Sequence, residues 1–247
     1  SNIKTNTLRR KIACMKVFYN YLKYQNIIEE NPFNQLRFQF RTEKVLPKTI
    51  PYDILKSIFI YLEQKVIVSK TDYQKQHAER NLLIISLLLS TGIRISELCH
   101  IHLKDINLSN KTLHIIGKGK KERILFLGDQ KTFNLLETYI NKTRNESNDF
   151  LFPGKYSLKP LSEQSVRLVI KRIVEQNNFS RTITPHMFRH SFATMLLDSD
   201  VDIRYIQQIL GHSSISITQI YTHVSHSKQK EILSSFNPVS AIHSEIE

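Results

Sequence analysis

Apolar residues recur at helical spacing along most of the chain. Between residues 6 and 25 they form one stripe, which predicts an amphipathic helix. The stripe consists of Leu8, Ile12, Met15, Tyr19 and Leu22. A second helix is expected to open at Pro51, because proline fits the first turn of a helix. A third is expected from about Tyr73 to Gly92, and its apolar residues on most sides predict that it is buried at the centre of the fold.

The periodicity changes between residues 104 and 127. Residues 112–116 and 123–127 are short β-prone runs, and the segment 117–122 between them is rich in glycine and lysine. This pattern predicts a hairpin. It is not a phosphate-binding P-loop, because no Gly-Lys-Ser/Thr opens a following helix. Helical patterns resume at 130–142, 163–175, 185 onward, 202–210 and 227–235. The chain is therefore predicted to be mainly α with a small antiparallel β-sheet.

Breaks in these patterns predict the domain organisation. The first helical segment stops at Asn31-Pro32, and one helix with a short follower buries too little to be a complete domain. We therefore interpret residues 1–36 as the remnant of a small, truncated helical domain and the polar, basic residues 37–50 as a linker. Residues 51–236 form the main domain, and 237–247 form a weakly amphipathic tail.

Charge narrows the choice of partner. The 247 residues include 35 Lys and Arg against 22 Asp and Glu, a formal net charge of +13. This excess favours nucleic acid over an anionic membrane as the partner, although a basic solvated surface is an alternative. The two cysteines, Cys14 and Cys99, are predicted to be buried thiols rather than a disulfide. No apolar run is long enough to span a bilayer, so we expect a cytoplasmic protein without a membrane partner.

Candidate chemistry is concentrated between residues 184 and 223. Thr184 can cap a helix that begins at Pro185, and His186 and Arg189 then leave one face of that helix. The following helix ends at Gly211, which places the next residue, His212, at a fixed corner.

Two more residues join this group. Tyr221 lies nine positions after His212, and Arg94 directly follows the predicted central helix. Two imidazoles, guanidinium groups and a phenol suit an anionic substrate. Alternatively, Arg94 pairs with the carbonyls at the helix end. His186 and His190 have a zinc-compatible spacing, but no third ligand is evident, so no metal is predicted.

Four blocks together carry a family resemblance. They are Thr91-Gly92-Ile93-Arg94-Ile95-Ser96-Glu97-Leu98, Gly117-Lys118-Gly119-Lys120-Lys121-Glu122-Arg123, His186-x-x-Arg189, and Leu210-Gly211-His212 with Tyr221. In this order and at these separations they resemble the tyrosine recombinase, or phage integrase, family. The closest likeness is to its Xer-type and transposon-integrase members, and it covers about residues 6–236.

The resemblance implies a catalytic set and a role for each member. The set is Arg94, Lys118, His186, Arg189, His212 and Tyr221. The two arginines would clamp the scissile phosphate with His212 as a third donor. Tyr221 would attack the phosphorus and form a 3′-phosphotyrosyl link, and His186 would help to take its proton.

Two further roles rest on the same resemblance. Lys118 would protonate the departing 5′ oxygen, although Lys120 and Lys121 are chemical rivals within the hairpin. Glu97 would orient the site from one helical turn after Arg94. No cofactor is implied, because fixed cations can stabilise the charge of a phosphoryl transition state.

The resemblance also implies partners. Residues 1–36 would be the C-terminal part of a core DNA-binding domain that clasps double-stranded DNA opposite the catalytic domain 51–236. The residues expected to contact DNA are Arg9, Arg10, Lys11, Lys16, Arg41, Lys120 and Arg123. Recombination between two synapsed sites, whether of a mobile genetic element (a transposon or prophage) or of the chromosome-dimer system, implies a homotetramer, with the 237–247 tail docked on a neighbouring protomer and accessory proteins as further partners. The alternatives are a type IB topoisomerase and a non-catalytic DNA-binding module.

Overall fold

A computed structural model describes residues 5–36, 48–117, 119, 121–143, 149–154, 159–211 and 226–246. The chain divides into two compact units, residues 1–46 and 47–247. The division falls inside the segment 37–50 that was predicted to be a linker. Among the described residues, no helix is both long enough and apolar enough to cross a bilayer.

The first unit is built on α1 (Thr5–Tyr24), which matches the predicted amphipathic helix. Asn31 is buried and closes the following segment onto α1, because its side-chain amide donates to the Lys16 carbonyl at 3.2 Å and to Asn20 Oδ1 at 2.7 Å. Cys14 is exposed, so the prediction that it is buried is wrong. One helix and a short follower enclose too little apolar surface to cover it.

The second unit is mainly helical with a small antiparallel sheet, which confirms the predicted fold class. Its helices are α2 (Tyr52–Ile67), α3 (Asp72–Thr91), α4 (Ile95–Cys99), α5 (Gln130–Thr143), α6 (Glu163–Gln176), α7 (Pro185–Asp198), α8 (Ile203–Leu210), α9 (His226–Ser235) and α10 (Pro238–Ile246). Its strands are β1 (Ile106–Asn107), β2 (Thr112–Ile116) and β3 (Glu122–Phe126), paired in the order β1-β2-β3. The hairpin pairs Leu113 with Leu125, and both face the core.

Helix α3 is the central element, as its apolar pattern predicts. Residues 83–91 are all buried, and the helix packs against α2, α5, α7 and α10. It ends at Gly92, whose φ of 61° is the left-handed conformation that glycine adopts without strain. A Cβ at Gly92 would lie 2.5 Å from Cδ1 of Phe192, so the turn needs glycine for space as well as for conformation. This turn fixes the position of the next arginine, Arg94.

At both ends of the second unit, contacts with distant elements bury residues that were predicted to lie in a linker or a tail. Ile50, predicted to lie in the linker, is 4% exposed, and its backbone N–H donates to Ser191 Oγ at 2.8 Å. Residues 238–246, predicted to be a weakly amphipathic tail, form α10, and Val239 and Ile242 on it are fully buried within this chain. Apolar residues three and four positions apart on α10 give it one buried face.

Candidate active site

Arg94 lies at the N-terminal cap of α4, directly after the Gly92 turn, and its side chain is 33% exposed. Glu97, three residues on, holds it in two ways. The carboxylate accepts the Arg94 backbone N–H at 3.0 Å through Oε2 and the guanidinium Nη1 at 2.8 Å through Oε1. Both bonds are accepted by the one carboxylate, so Glu97 caps the helix start and fixes the Arg94 guanidinium to it. These contacts hold Arg94, and the role of Glu97 in orienting a catalytic site stays a prediction.

Arg123 on β3 binds the same carboxylate from the opposite side. Its Nη1 donates to Glu97 Oε1 at 3.0 Å and its Nη2 donates to Oε2 at 2.7 Å, a bidentate pair between planar groups. The Arg123 side chain is 13% exposed. Arg123 was predicted to contact DNA, whereas the structure places its guanidinium against Glu97. Sequence reasoning missed this contact because 26 residues separate the partners and no local spacing rule links them.

The lowered pKa of Glu97 indicates that its two arginine partners more than offset the cost of burying its charge. Burial alone would raise the pKa of Glu97, but the hydrogen bonds from Arg123 and from the Arg94 backbone, with the attraction of Arg123, lower it to about 2. Glu97 is therefore ionised throughout the neutral range. It remains a fixed anion between two arginines.

Arg189 on α7 is buried and joins the ends of two other helices. Its Nη1 donates to the Gly92 carbonyl at 2.6 Å and its Nη2 donates to the Leu210 carbonyl at 2.7 Å. These carbonyls lie at the C-terminal ends of α3 and α8, where a cation is favourable. Burial, and then repulsion from Arg94, lower the pKa of Arg189 to about 10, so it still carries its charge at neutral pH.

His186 lies in the first turn of α7 and is exposed. Thr184 occupies the cap position, as predicted, but its side chain makes no capping hydrogen bond. Beside His186, a cleft of about 610 Å³ opens between α6 and the segment that leads into α7. Cationic side chains line part of this cleft, namely Arg167, Lys171 and Arg181. Two of these cations are paired with carboxylates, Arg167 with Glu163 and Lys171 with Glu175, so the first turn of α7 faces open space lined by charges of both signs.

His190, also on α7, is exposed. Its partial burial, followed by the nearby charges of His186 and Arg189, lowers its pKa, which favours the neutral imidazole at pH 7. Within the described ranges, no group of three or more His, Cys, Asp or Glu side chains could hold a metal ion.

The model of the phage integrase family matches residues 61–228, about two thirds of the chain. The chain belongs to the phage integrase family. The chain is 50% identical over 243 residues to a tyrosine recombinase of Agathobacter rectalis, covering 97% of this chain and 79% of that protein. It is 34% identical over 243 residues to the tyrosine recombinase XerC of Bacillus subtilis, covering 96% of this chain and 76% of that protein.

Two solved structures share the fold of this chain. The XerH site-specific recombinase bound to its difH substrate superposes with a TM-score of 0.67 at 25% identity, over 90% of this chain and 63% of that one. The Tn1549 transposon integrase in complex with circular intermediate DNA superposes with a TM-score of 0.61 at 22% identity, over 100% of this chain and 80% of that one. The second likeness shows the fold alone.

Several predicted residues of this family member lie outside the described residues, and only their flanks can be placed. They are Arg41, Lys118, Lys120, His212 and Tyr221. Before Lys118, the Gly117 backbone N–H donates to the Lys121 carbonyl at 2.7 Å and closes the hairpin. Before His212, Gly211 has a φ of 66° and ends α8 as predicted.

The remaining predicted DNA contacts lie on α1 in the first unit. Arg9, Arg10 and Lys11 are exposed, and Lys16 is half-buried. In the second unit the structure brings together Arg94, Glu97, Arg123 and Arg189 at the end of α3, since the charges of the first three all act on the pKa of Arg189. The site is thus a cluster of three arginines around one carboxylate, beside the flanks of the hairpin tip and of His212.

Proposed function

We propose that this chain is a site-specific DNA recombinase that cleaves and rejoins DNA strands through a 3′-phosphotyrosyl intermediate. Membership of the phage integrase family supports the class of reaction. The observation that carries the assignment of the site is the convergence of Arg94 and Arg189 at the C-terminal end of α3. Repulsion from Arg94 is one cause of the lowered Arg189 pKa, so a bound anion would relieve it.

A phosphodiester suits such a pair of cations. In the transition state the negative charge spreads over the non-bridging oxygens, and guanidinium groups fixed in advance stabilise it without reorganising. Glu97 fixes Arg94, and two helix-end carbonyls fix Arg189. These two bonds use two of the five N–H donors of Arg189. We assign both arginines, with His212, to the non-bridging oxygens.

The proposed step balances without an outside reactant. The Tyr221 hydroxyl oxygen forms a bond to phosphorus as the bond to the 5′ oxygen breaks. His186 helps to accept the tyrosine proton, and Lys118 delivers a proton to the departing 5′ oxygen. Because the phosphate ester is conserved in the intermediate, a 5′ hydroxyl of another strand can reverse the step and complete the exchange.

A nicked suicide substrate tests the chemistry. Its cleavage releases a short fragment and traps any covalent protein–DNA product. We expect Tyr221→Phe to abolish trapping, because the phenol oxygen is lost, while DNA binding changes little. Tyr205→Phe, a half-buried tyrosine on α8, is the matched control and is expected to keep trapping. Trapping that persists in Tyr221→Phe would contradict the assignment, and no trapping in any variant would favour a non-catalytic DNA-binding module.

We further propose a cytoplasmic enzyme of a mobile genetic element that acts as a homotetramer on two synapsed duplexes, with accessory proteins. Two duplexes require four cleavages, which a cyclic assembly of four chains provides. Joining of strands from two separate duplexes distinguishes this function from a type IB topoisomerase. A topoisomerase would reseal only the strand it cut.

Exchange of α10 between protomers stays a prediction, and its cis contact with α2 offers a direct test. Lys56 Nζ and Glu245 Oε2 are 3.1 Å apart on these two helices. With Cys14→Ser, Lys56→Cys and Glu245→Cys in one chain, a short thiol cross-linker is expected to join residues within the free protein. On DNA, helix exchange would convert these products into covalent chains of up to four protomers. Only intramolecular products on DNA would rule the exchange out.

A further inference from the structure

The Glu97 carboxylate has one anchor that the proposed chemistry does not use. On the basis of the proposed function, we infer that Arg123 is a positioning residue. It holds Glu97, and through it Arg94, in register with the hairpin and with the Gly211 turn. Arg123 would not contact DNA in this role. Its effect on strand cleavage would pass entirely through the arginine that Glu97 orients.

Glu97 accepts four hydrogen bonds, two from Arg94 and two from Arg123. Oε1 accepts from Arg94 Nη1 at 2.8 Å and from Arg123 Nη1 at 3.0 Å. Oε2 accepts from the Arg94 backbone N–H at 3.0 Å and from Arg123 Nη2 at 2.7 Å. Each oxygen thus serves both arginines, so rotation of the carboxylate breaks bonds to both. Without Arg123, the bonds to Arg94 alone would have to fix a buried carboxylate.

The guanidinium of Arg123 is aimed at the carboxylate, because both of its terminal nitrogens bond Glu97. Its Nε is buried and has no hydrogen-bond partner among the described residues. With 13% of the side chain exposed, this arginine is committed to the carboxylate. Arg94, by contrast, is 33% exposed and makes one side-chain bond to Glu97.

Arg123 also lies against the two turns that lead to further catalytic residues. A Cβ built on Gly211 would be 3.2 Å from Arg123 Cδ, and one built on Gly117 would be 3.6 Å from its Nη1 and 3.2 Å from Glu97 Oε1. Gly211 precedes His212 and Gly117 precedes Lys118. The arginine therefore fills the space beneath both glycines. Their lack of a side chain lets the backbone approach it closely.

Strand β3 makes this arrangement rigid. Arg123 pairs with Ile115 of β2, whose side chain is in the core, and the Gly117–Lys121 hydrogen bond closes the turn beyond them. A shift of the hairpin would therefore move Arg123, and Glu97 would follow. The hairpin that carries Lys118 and the helix cap that carries Arg94 are in this way mechanically coupled.

The first test separates positioning from DNA contact. We expect Arg123→Lys to slow single-turnover cleavage of the nicked substrate at saturating DNA by roughly 10²-fold, because an ammonium cannot hold both carboxylate oxygens and a displaced Arg94 is costly. DNA affinity and its salt dependence are expected to stay unchanged. The salt slope is measured on Arg123→Gln, which removes the charge: a lost phosphate contact would lower the slope of log K against log salt by about one and leave saturated cleavage intact. That result would overturn the inference.

The second test uses pH, which a purely structural loss would not move. The charged groups that face Glu97 are Arg94 and Arg123, with Arg189 close by. Removing Arg123 is expected to raise the Glu97 pKa and to give cleavage by Arg123→Ala a new decline as pH falls below neutrality. The decline is expected to vanish in Arg123→Ala with Glu97→Gln, where the carboxyl group at position 97 is gone. An unchanged pH profile in Arg123→Ala would contradict the inference.

Controls keep the inference separable from the proposed reaction. Arg204→Lys alters a surface ion pair between Arg204 and Asp202, which both lie at the start of α8, and this variant is expected to cleave normally. Circular dichroism reports whether each variant folds; if Arg123→Ala does not fold, Arg123→Lys supplies the rate test and Arg123→Gln the salt test. If wild-type protein forms no covalent product, the proposed function fails. If it does and Arg123→Lys cleaves at the wild-type rate, only the positioning role fails.

Discussion

Two carboxylates of this chain have the same acidity and opposite surroundings. Glu97 is buried between Arg94 and Arg123, and its pKa is lowered to about 2 against the cost of burial. Asp202 lies at the surface at the start of α8, and hydrogen bonds from Arg204, together with its charge, lower its pKa to about 2. The comparison teaches that a low pKa does not by itself mark a functional carboxylate. Burial and partners from distant parts of the chain distinguish Glu97.

The largest expected effect comes from removing the buried anion. Glu97→Ala leaves Arg94 and Arg123 facing each other without compensation, and we expect a loss of roughly 3–5 kcal/mol in the free energy of unfolding. Denaturation in urea measures it. Cleavage of the nicked substrate is expected to be lost as well, because nothing then fixes the guanidinium of Arg94.

A double variant sharpens this prediction. Glu97→Leu with Arg123→Met replaces the buried pair by apolar groups of similar size, and it is expected to recover part of the lost stability. Cleavage is not expected to recover, because Arg94 remains unheld. If Glu97→Ala and the double variant are equally stable, then an unpaired buried charge is not the cause of the stability lost in Glu97→Ala.

The smallest expected effect is found by comparing the two carboxylates in acid. A group with a lowered pKa contributes stability above its ordinary pKa and loses it as pH falls towards the folded value. The stability difference between wild type and Glu97→Gln is therefore expected to shrink from about pH 4.5 down to about pH 2. For Asp202→Asn the difference is expected to be slight at every pH and to disappear in high salt. If the stability difference caused by Asp202→Asn does not depend on salt, the expected contrast between Asp202 and Glu97 is wrong.

Local signals in the sequence were sufficient for most of the fold. The amphipathic pattern predicted α1, the apolar block predicted α3, and glycine predicted the ends of α3 and α8. Strand β1 was missed because two residues, Ile106 and Asn107, carry no periodicity. Ile50 and α10 were misjudged because their burial depends on contacts with elements far away in the chain.

The same difference between local signals and long-range contacts applies to the site. The positions of Arg94, Glu97 and Arg189 followed from motifs on short segments, and the structure places them together. The bond from Arg123 to Glu97 could not be predicted, because it depends on how β3 packs against the start of α4. A basic residue after a lysine-rich turn carries the same sequence signal whether it faces DNA or a buried carboxylate.

Arg189 combines two duties that an experiment cannot separate by deletion. Its guanidinium joins the final turns of α3 and α8, so a chain without it loses a structural link together with the proposed ligand for the phosphate. Inactivity after its replacement therefore says nothing about chemistry unless folding is measured alongside. The same guanidinium belongs to the scaffold and to the proposed site, so it cannot be replaced without also weakening the scaffold.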